Sequence, residues 1–432
     1  MLAVVRLSFI LLPTLVGARV RPSELDALVA LYQATGGPTW ASNEHWSPDK
    51  DPCRKHSAPV PNRDFAAIPF QPGRRFDATP WHGVGCIDPC DDYLDGEGCT
   101  AGRILSLTLR ANNLTGSTAG WHGLGEMVHL THLDLSYNRI SGSIPSQIGL
   151  IQHLDMLLLR NNALSGLLPP EIALVNSDGP GALREISLAN NHLSGTLPPA
   201  LSAHAASLMS FDVTDNQLSG TIPSELTSLS ELQVLYLRNN SLSGTLPVSL
   251  GGVGDEAGSG AEAGGGLRKL RYLEAHSNLA LSGTLPPSIG QLTDLYTLNL
   301  HGCALSGTLP TELGELSELR FLLLNDNRIS GTVPTELGRL RHLETLDLYS
   351  NPLAGDVPSE IARLINLRLL YLPNEQLYPL RMHYCQQRLP SLGKYSYRLI
   401  REEYQRFASA ICPDPFDTLE AFGTLAQLSG DV

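Results

Sequence analysis

The hexapeptide LSGTLP recurs without change at residues 193–198, 242–247, 281–286 and 305–310. Aligned on it, the sequence resolves into a longer unit, LxxLxLxxNxLSGTLPxxLGxL, most often 24 residues long. One continuous register places the second strand leucine of successive units at Leu107, Leu133, Leu157, Ile186, Phe211, Leu235, Leu273, Leu298, Leu322, Leu346 and Leu370. Ten regular units and a degenerate eleventh result. A unit this short cannot enclose a hydrophobic core alone, so it must bury its apolar face against its neighbours. The repeat therefore overrides the roughly three globular domains that 432 residues would otherwise suggest.

The letters of the unit follow from backbone periodicity. In LxL the two leucines point inward, and the residues around and between them face solvent from a short strand. Each unit thus donates one strand to a parallel sheet. Asparagine marks the turn that leaves this strand, at Asn112, Asn138, Asn162, Asn191, Asn216, Asn240, Asn278, Asn327 and Asn351. A carboxamide both donates and accepts, so stacked copies can satisfy the backbone of adjacent turns. The eighth unit carries Cys303 there, which predicts a buried, unreactive thiol. In LSGTLP the leucines anchor inward, glycine permits an unusual backbone and proline fixes φ where the chain turns away. Serine and threonine are left pointing outward.

LSGTLP and its variants ISGSIP, LSGTIP and ISGTVP resemble the plant-type extracellular leucine-rich repeats of receptor-like kinase ectodomains, receptor-like proteins and polygalacturonase inhibitors. The resemblance covers about residues 24–375. It implies an α/β solenoid: a right-handed superhelix with a parallel concave sheet and disulfide-bonded caps at both ends. DALVALYQATGGPTW, DPC at Cys53 and WHGVGC at Cys86 look like the family's N-terminal cap, departing from it by a Pro-rich insertion between Cys53 and Trp81. Within it, Ser23 precedes an amphipathic helical pattern, Leu25, Leu28, Val29 and Tyr32, that stops at Gly36-Gly37. By the same resemblance Cys53 pairs with Cys86, Cys90 with Cys99 and Cys385 with Cys412, leaving Cys303 as the one thiol. Metal is not expected, because the cysteine spacings lack a flanking histidine pattern.

The expected organisation is a signal peptide over 1–18, an N-terminal cap over 19–103, repeats over 104–376 with a low-complexity insertion at 251–266, and a C-terminal cap and tail over 377–432. The first segment has a basic start, an apolar stretch too short to span a bilayer and small residues before residue 19. No later stretch is apolar enough to span either. A secreted, extracellular protein is predicted, with sequons at Asn113 and Asn239 as glycan acceptors. A net charge of −13 argues against nucleic acid and anionic membrane as partners.

No catalytic constellation emerges, so an enzyme is not expected and no cofactor is implied. The acidic loop at 88–97 lacks the ligand spacing of a calcium loop, and GSGAEA at 258–263 has no strand before it or helix after it. What remains is a binding surface on the concave sheet. The candidates are Tyr236, Tyr272, Glu274, His276, Asn299, His301, Phe321, Leu323, Asp347 and Tyr349, with Val234 and Thr297 beside them. Aromatic groups clustered beside charges resemble an interface core, and the expected partner is an extracellular protein, peptide or glycan. The alternative is an ice-binding protein. If each SGT segment is extended, serine and threonine pairs such as Ser282/Thr284 form a hydroxyl ladder with one rung per unit.

Overall fold

The computed structural model describes residues 21–42, 84–87, 103–175, 183–252 and 265–372. From the second unit on, each LxL segment forms a three-residue strand, as in His132–Asp134, Ser210–Asp212 and Tyr272–Glu274; its central leucine, isoleucine or phenylalanine is buried in all but the last, where Leu370 is half-buried. Neighbouring strands pair in parallel with these centres opposite one another: Leu133 faces Leu157, Leu235 faces Leu273 and Leu298 faces Leu322. Twelve strands result, the first of which, β1 (Val84–Ile87), runs antiparallel to the rest. The register read from the sequence holds through all eleven units, Leu370 included. In solenoids of this type such a sheet lines the concave side.

Each of the first nine units also contributes a second strand, from the SGT segment or its equivalent, and these nine form a separate parallel sheet, to which the tenth adds a single bridge at Leu353. Between the two sheets the chain passes through short 3-10 helices such as Thr311–Glu315, whose leucine is buried. The α/β expectation is corrected here: among the described residues the only α-helix is α1, Pro22–Ala34. A unit of 24 residues that builds two strands has no length left for a full α-helix on its outer side.

Helix α1 also starts earlier than its serine suggests. Pro22 occupies the first turn, Arg21 is the cap and no side chain caps it, because proline's fixed φ suits that position and its missing N–H is not needed there. Gly36 stops the chain beyond it with φ of 70°. The helix covers the first coil, with Leu28 and Leu31 buried against the repeat core.

The asparagine ladder works as its chemistry requires. Asn327 Nδ2 donates to the carbonyls of Leu300, Leu324 and Asn325, and its Oδ1 accepts from Leu305 N of the preceding unit. The same pattern recurs at Asn191, Asn216 and Asn351. Cys303 breaks it. Its thiol donates to the Ala275 carbonyl at 3.5 Å, and Leu281 N, which would otherwise meet a carboxamide oxygen, donates to Asn278 O instead. Cys303 is half-buried rather than fully enclosed, and burial pushes its thiol pKa up.

The SGT segment holds a correction as well. Its serines are not free: Ser219 Oγ donates to Gly195 O at 3.2 Å, Ser282 to Gly244 O at 3.1 Å and Ser330 to Gly307 O at 3.2 Å. The glycine is dictated by backbone and neighbour together. Gly220 has φ of 74°, and a Cβ there would lie 2.8 Å from Thr196 Cγ2. Each threonine methyl therefore rests on the next unit's glycine, and the threonine itself stays exposed.

The signal segment, Cys53, Cys90, Cys99, Cys385, Cys412, the acidic loop at 88–97, residues 253–264 of the insertion and the C-terminal cap lie outside the described residues. Cys86 falls on β1, where only its backbone is described.

Candidate ligand-binding face

The twelve-stranded sheet presents its outward side chains in rows, because parallel register stacks equivalent positions about 4.8 Å apart. Four aromatic rings form one continuous row across units six to nine. Tyr236 and Tyr272 lie 6.4 Å apart edge-to-face, Tyr272 and Tyr296 5.6 Å apart, and Tyr296 and Phe321 5.7 Å apart. All four rings are half-buried. Such spacings suit aromatic pairs and leave the exposed edges and faces available to a ligand. The Arg320 guanidinium sits over Tyr296, 5.0 Å from its centroid, and also pairs with Glu344 at 3.0 Å.

Tyr296 was not among the sequence candidates. It stands one position before the strand Thr297–Asn299, outside the xLx positions, yet its ring bridges Tyr272 and Phe321 while Thr297 beneath is only 8% exposed. The signal that could have found it is the small threonine at a position held by Tyr272 and Phe321 in the flanking units, which leaves room for a neighbouring ring.

The remaining candidates divide by burial. Leu323, Glu274, Asp347 and His301 are half-buried on this face, and Tyr349 is exposed. His276 and Asn299 are only 7% and 8% exposed and are occupied by the protein itself. The imidazoles of His276 and His301 stack at 4.3 Å, and His301 Nδ1 is 2.8 Å from Asn299 Oδ1. His276 Nδ1 is buried without a hydrogen-bond partner. Burial, then the neighbouring His301, push the His276 pKa down to about 4. Asp347 is partly committed to the backbone, since Oδ1 accepts from Tyr349 N at 3.1 Å, as Asp134 and Asp212 do from the amides two residues beyond.

Toward units two to seven the face sinks into a shallow polar depression of about 390 Å³. Tyr137, Arg160, Asp212, Tyr236, Arg238 and Glu274 border it, with the smaller Ala189 and Thr214 between them. Arg110 and Arg160 sandwich the Tyr137 ring at 4.6 and 5.4 Å. Burial raises the carboxyl pKa of Glu185 and of Glu274, and the nearby Asp212 raises both further.

Both sequon asparagines are exposed, and their amide nitrogens are engaged: Asn113 donates to Thr39 O and Asn239 to Asp215. No helix among the described residues is long and apolar enough to cross a membrane, and no group of three metal-ligating side chains occurs among them.

Seven segments, 129–150, 182–203, 207–229, 231–253, 294–316, 318–340 and 342–364, match the Leucine Rich Repeat family. No curated protein matches the sequence. Among solved structures the chain is similar to the leucine-rich-repeat ectodomain of the membrane receptor kinase GASSHO1/SCHENGEN3 from Arabidopsis thaliana, in complex with Casparian strip integrity factor 2. The identity is 32% and the TM-score 0.52, over 62% of this chain and 32% of that one. It is also similar to the Arabidopsis receptor kinase HAESA in complex with the peptide hormone IDA and the co-receptor SERK1, at 27% identity and TM-score 0.55 over 68% and 44% of the two chains. The chain thus spans less than half the length of these receptors. A plant ice-binding protein shares the fold at 22% identity and TM-score 0.55, over 82% of this chain and 97% of that one.

Proposed function

We propose that this leucine-rich-repeat chain, similar to the ectodomains of plant receptor kinases, is a secreted recognition protein that binds an extracellular ligand through its concave sheet. The row Tyr236–Tyr272–Tyr296–Phe321 carries this reading. It crosses four adjacent strands, so it runs along the solenoid and matches the course of an extended chain rather than a compact small molecule. Half-buried rings contribute large contact area at low entropic cost, as binding hot spots do. Among protein, peptide and glycan ligands, an extended peptide fits this linear arrangement best. The HAESA ectodomain, whose structure contains a peptide hormone, supports the same choice. The role is binding rather than catalysis. Pull-down from the source's extracellular fluid with wild-type protein and the Tyr272→Ala/Phe321→Ala double variant tests it.

One observation favours a second reading, ice binding. Thr196, Thr221, Thr245, Thr284, Thr308 and Thr332 are exposed in six successive units, at or just beyond the ends of strands of the nine-stranded sheet. Five of the six paired serines, all but Ser243, however, donate to the preceding unit's glycine carbonyl, which leaves the threonines as the one regular row of exposed hydroxyls. An ice-recrystallisation assay separates the readings, and the concave face is the stronger.

A further inference from the structure

Three of the four rings in the row carry a hydroxyl, and none of these hydroxyls makes a hydrogen bond among the described residues, although Tyr236, Tyr272 and Tyr296 are all half-buried. The row thus offers donors as well as ring faces. Tyr236 keeps its proton throughout the physiological range, because burial, then the neighbouring Glu274, push its pKa up to about 12. The backbone beneath is already spent. Strands Val234–Tyr236, Tyr272–Glu274, Thr297–Asn299 and Phe321–Leu323 each pair on both sides, so a ligand cannot add a strand here and must be held by side chains.

The rings are inclined to one another by 68°, 46° and 49° in succession, which leaves a cleft between each pair, and their centroids lie 6.4, 5.6 and 5.7 Å apart. Alternate residues of a polyproline II helix are about 6.2 Å apart, against about 6.7 Å in a β-strand, so the clefts recur at the shorter step. A polyproline II chain also has no internal hydrogen bonds. Its carbonyls need outside donors, which the phenols supply. Charge points the same way: Arg320 and Arg368 share Glu344 at 3.0 and 3.1 Å, Arg238 is 3.9 Å from Asp215 and also acts on Glu274, and Arg271 is exposed. The rings, with Val234 and Leu323 beside them, form an uncharged strip between charges that answer one another, and an uncharged ligand complements it.

We propose that the ring row Tyr236–Tyr272–Tyr296–Phe321 is a groove for a proline-rich segment of an extracellular partner, held in the polyproline II conformation. This deepens the concave-face reading and rests on it. Proline rings enter the clefts between successive aromatic rings, and the Tyr236 and Tyr272 hydroxyls donate to carbonyls of the ligand. Tyr296, whose ring already carries Arg320, contributes its surface alone. Because such a segment is stiff before it docks, it loses little conformational entropy on binding.

Selection from a random dodecapeptide library displayed on phage tests the groove, on the wild-type chain and on Tyr236→Phe/Tyr272→Phe. Phenylalanine keeps both rings and removes only unpaired hydroxyls, so this variant should fold as the wild type does; circular dichroism and the melting temperature check that. The wild type should enrich peptides with closely spaced prolines. Replacing those prolines by alanine in one enriched peptide should weaken its binding about tenfold. Tyr236→Phe/Tyr272→Phe should bind the unaltered peptide about fivefold more weakly than the wild type, the loss expected for one or two neutral hydrogen bonds. Failure to enrich any peptide, enrichment without a proline bias, tolerance of the alanine replacements, or full affinity in the phenylalanine variant overturns the groove. The concave-face reading survives these results if ligand capture still falls with Tyr272→Ala/Phe321→Ala, and capture that is unchanged in that variant overturns both.

Discussion

The Tyr296 ring lies 5.6 Å from that of Tyr272 although the two residues occupy different positions in their repeats. Tyr296 fills the gap above Thr297 and so joins Tyr272 to Phe321 in an unbroken row. Tyr296→Ala should therefore split the row and weaken peptide capture about tenfold, the loss typical of a hot-spot aromatic, while Tyr296→Phe should retain most of it. Isothermal titration with a peptide captured from the extracellular fluid measures both. Equal affinity in wild type and Tyr296→Ala would mean that the ring is structural only.

The buried imidazole of His276 makes stability depend on pH. Its pKa falls from an ordinary value near 6.5 to about 4 in the folded chain, so the unfolded chain takes up the proton first as pH drops. Stability from this group is complete above about pH 6.5, declines as pH falls and is lost once pH passes the folded value. The shift corresponds to about 3 kcal/mol at most. Buried carboxyls such as Glu185 and Glu274 act in the opposite sense, gaining stability as they protonate, so the comparison must be made against a variant. Denaturant unfolding of wild type and His276→Gln at pH 7.5 and pH 4.5 should show wild type losing more by about 1–3 kcal/mol. Parallel pH profiles would remove His276 as the cause.

Gly220 carries a steric demand that its neighbours make specific. Gly220→Ala forces a Cβ into Thr196 Cγ2 at φ of 74° and should cost about 1–3 kcal/mol. Pairing the change with Thr196→Ser removes the methyl and should recover the steric part, leaving only the backbone strain. A double-mutant cycle in urea reads the coupling, and strict additivity would show that the methyl does not matter.

Cys303 should behave as a protected thiol. It is half-buried, its pKa is raised and it donates to Ala275 O, so native alkylation at pH 7.5 should run at least tenfold slower than in denaturant. Rapid native labelling would contradict this placement. Mass mapping of the same sample also tests whether the other six cysteines form the three expected bridges.

The strand register was legible because every unit repeats the same inward pair, and Leu133, Phe211 and Leu298 all sit at strand centres. The asparagine ladder was legible because a carboxamide is the side chain that can both accept from one turn and donate to the next. What escaped depends on neighbours rather than on the unit. The fate of the serine hydroxyls rests on where the preceding glycine carbonyl falls, and that of Tyr296 on the smallness of Thr297. His276 and Asn299 hold concave positions, but their burial follows from the stack and hydrogen bond they make with His301.

The central claim is that recognition follows the ring row of the concave sheet. Quantitative capture of extracellular partners should be compared across wild type, Tyr272→Ala/Phe321→Ala and Thr284→Val/Thr308→Val, with matched melting temperatures. The ring variant should lose capture more than tenfold, since each ring is expected to contribute more than about 1 kcal/mol, and the threonine variant should match wild type. Equal capture by the ring variant and wild type, with loss in the threonine variant, would contradict the account.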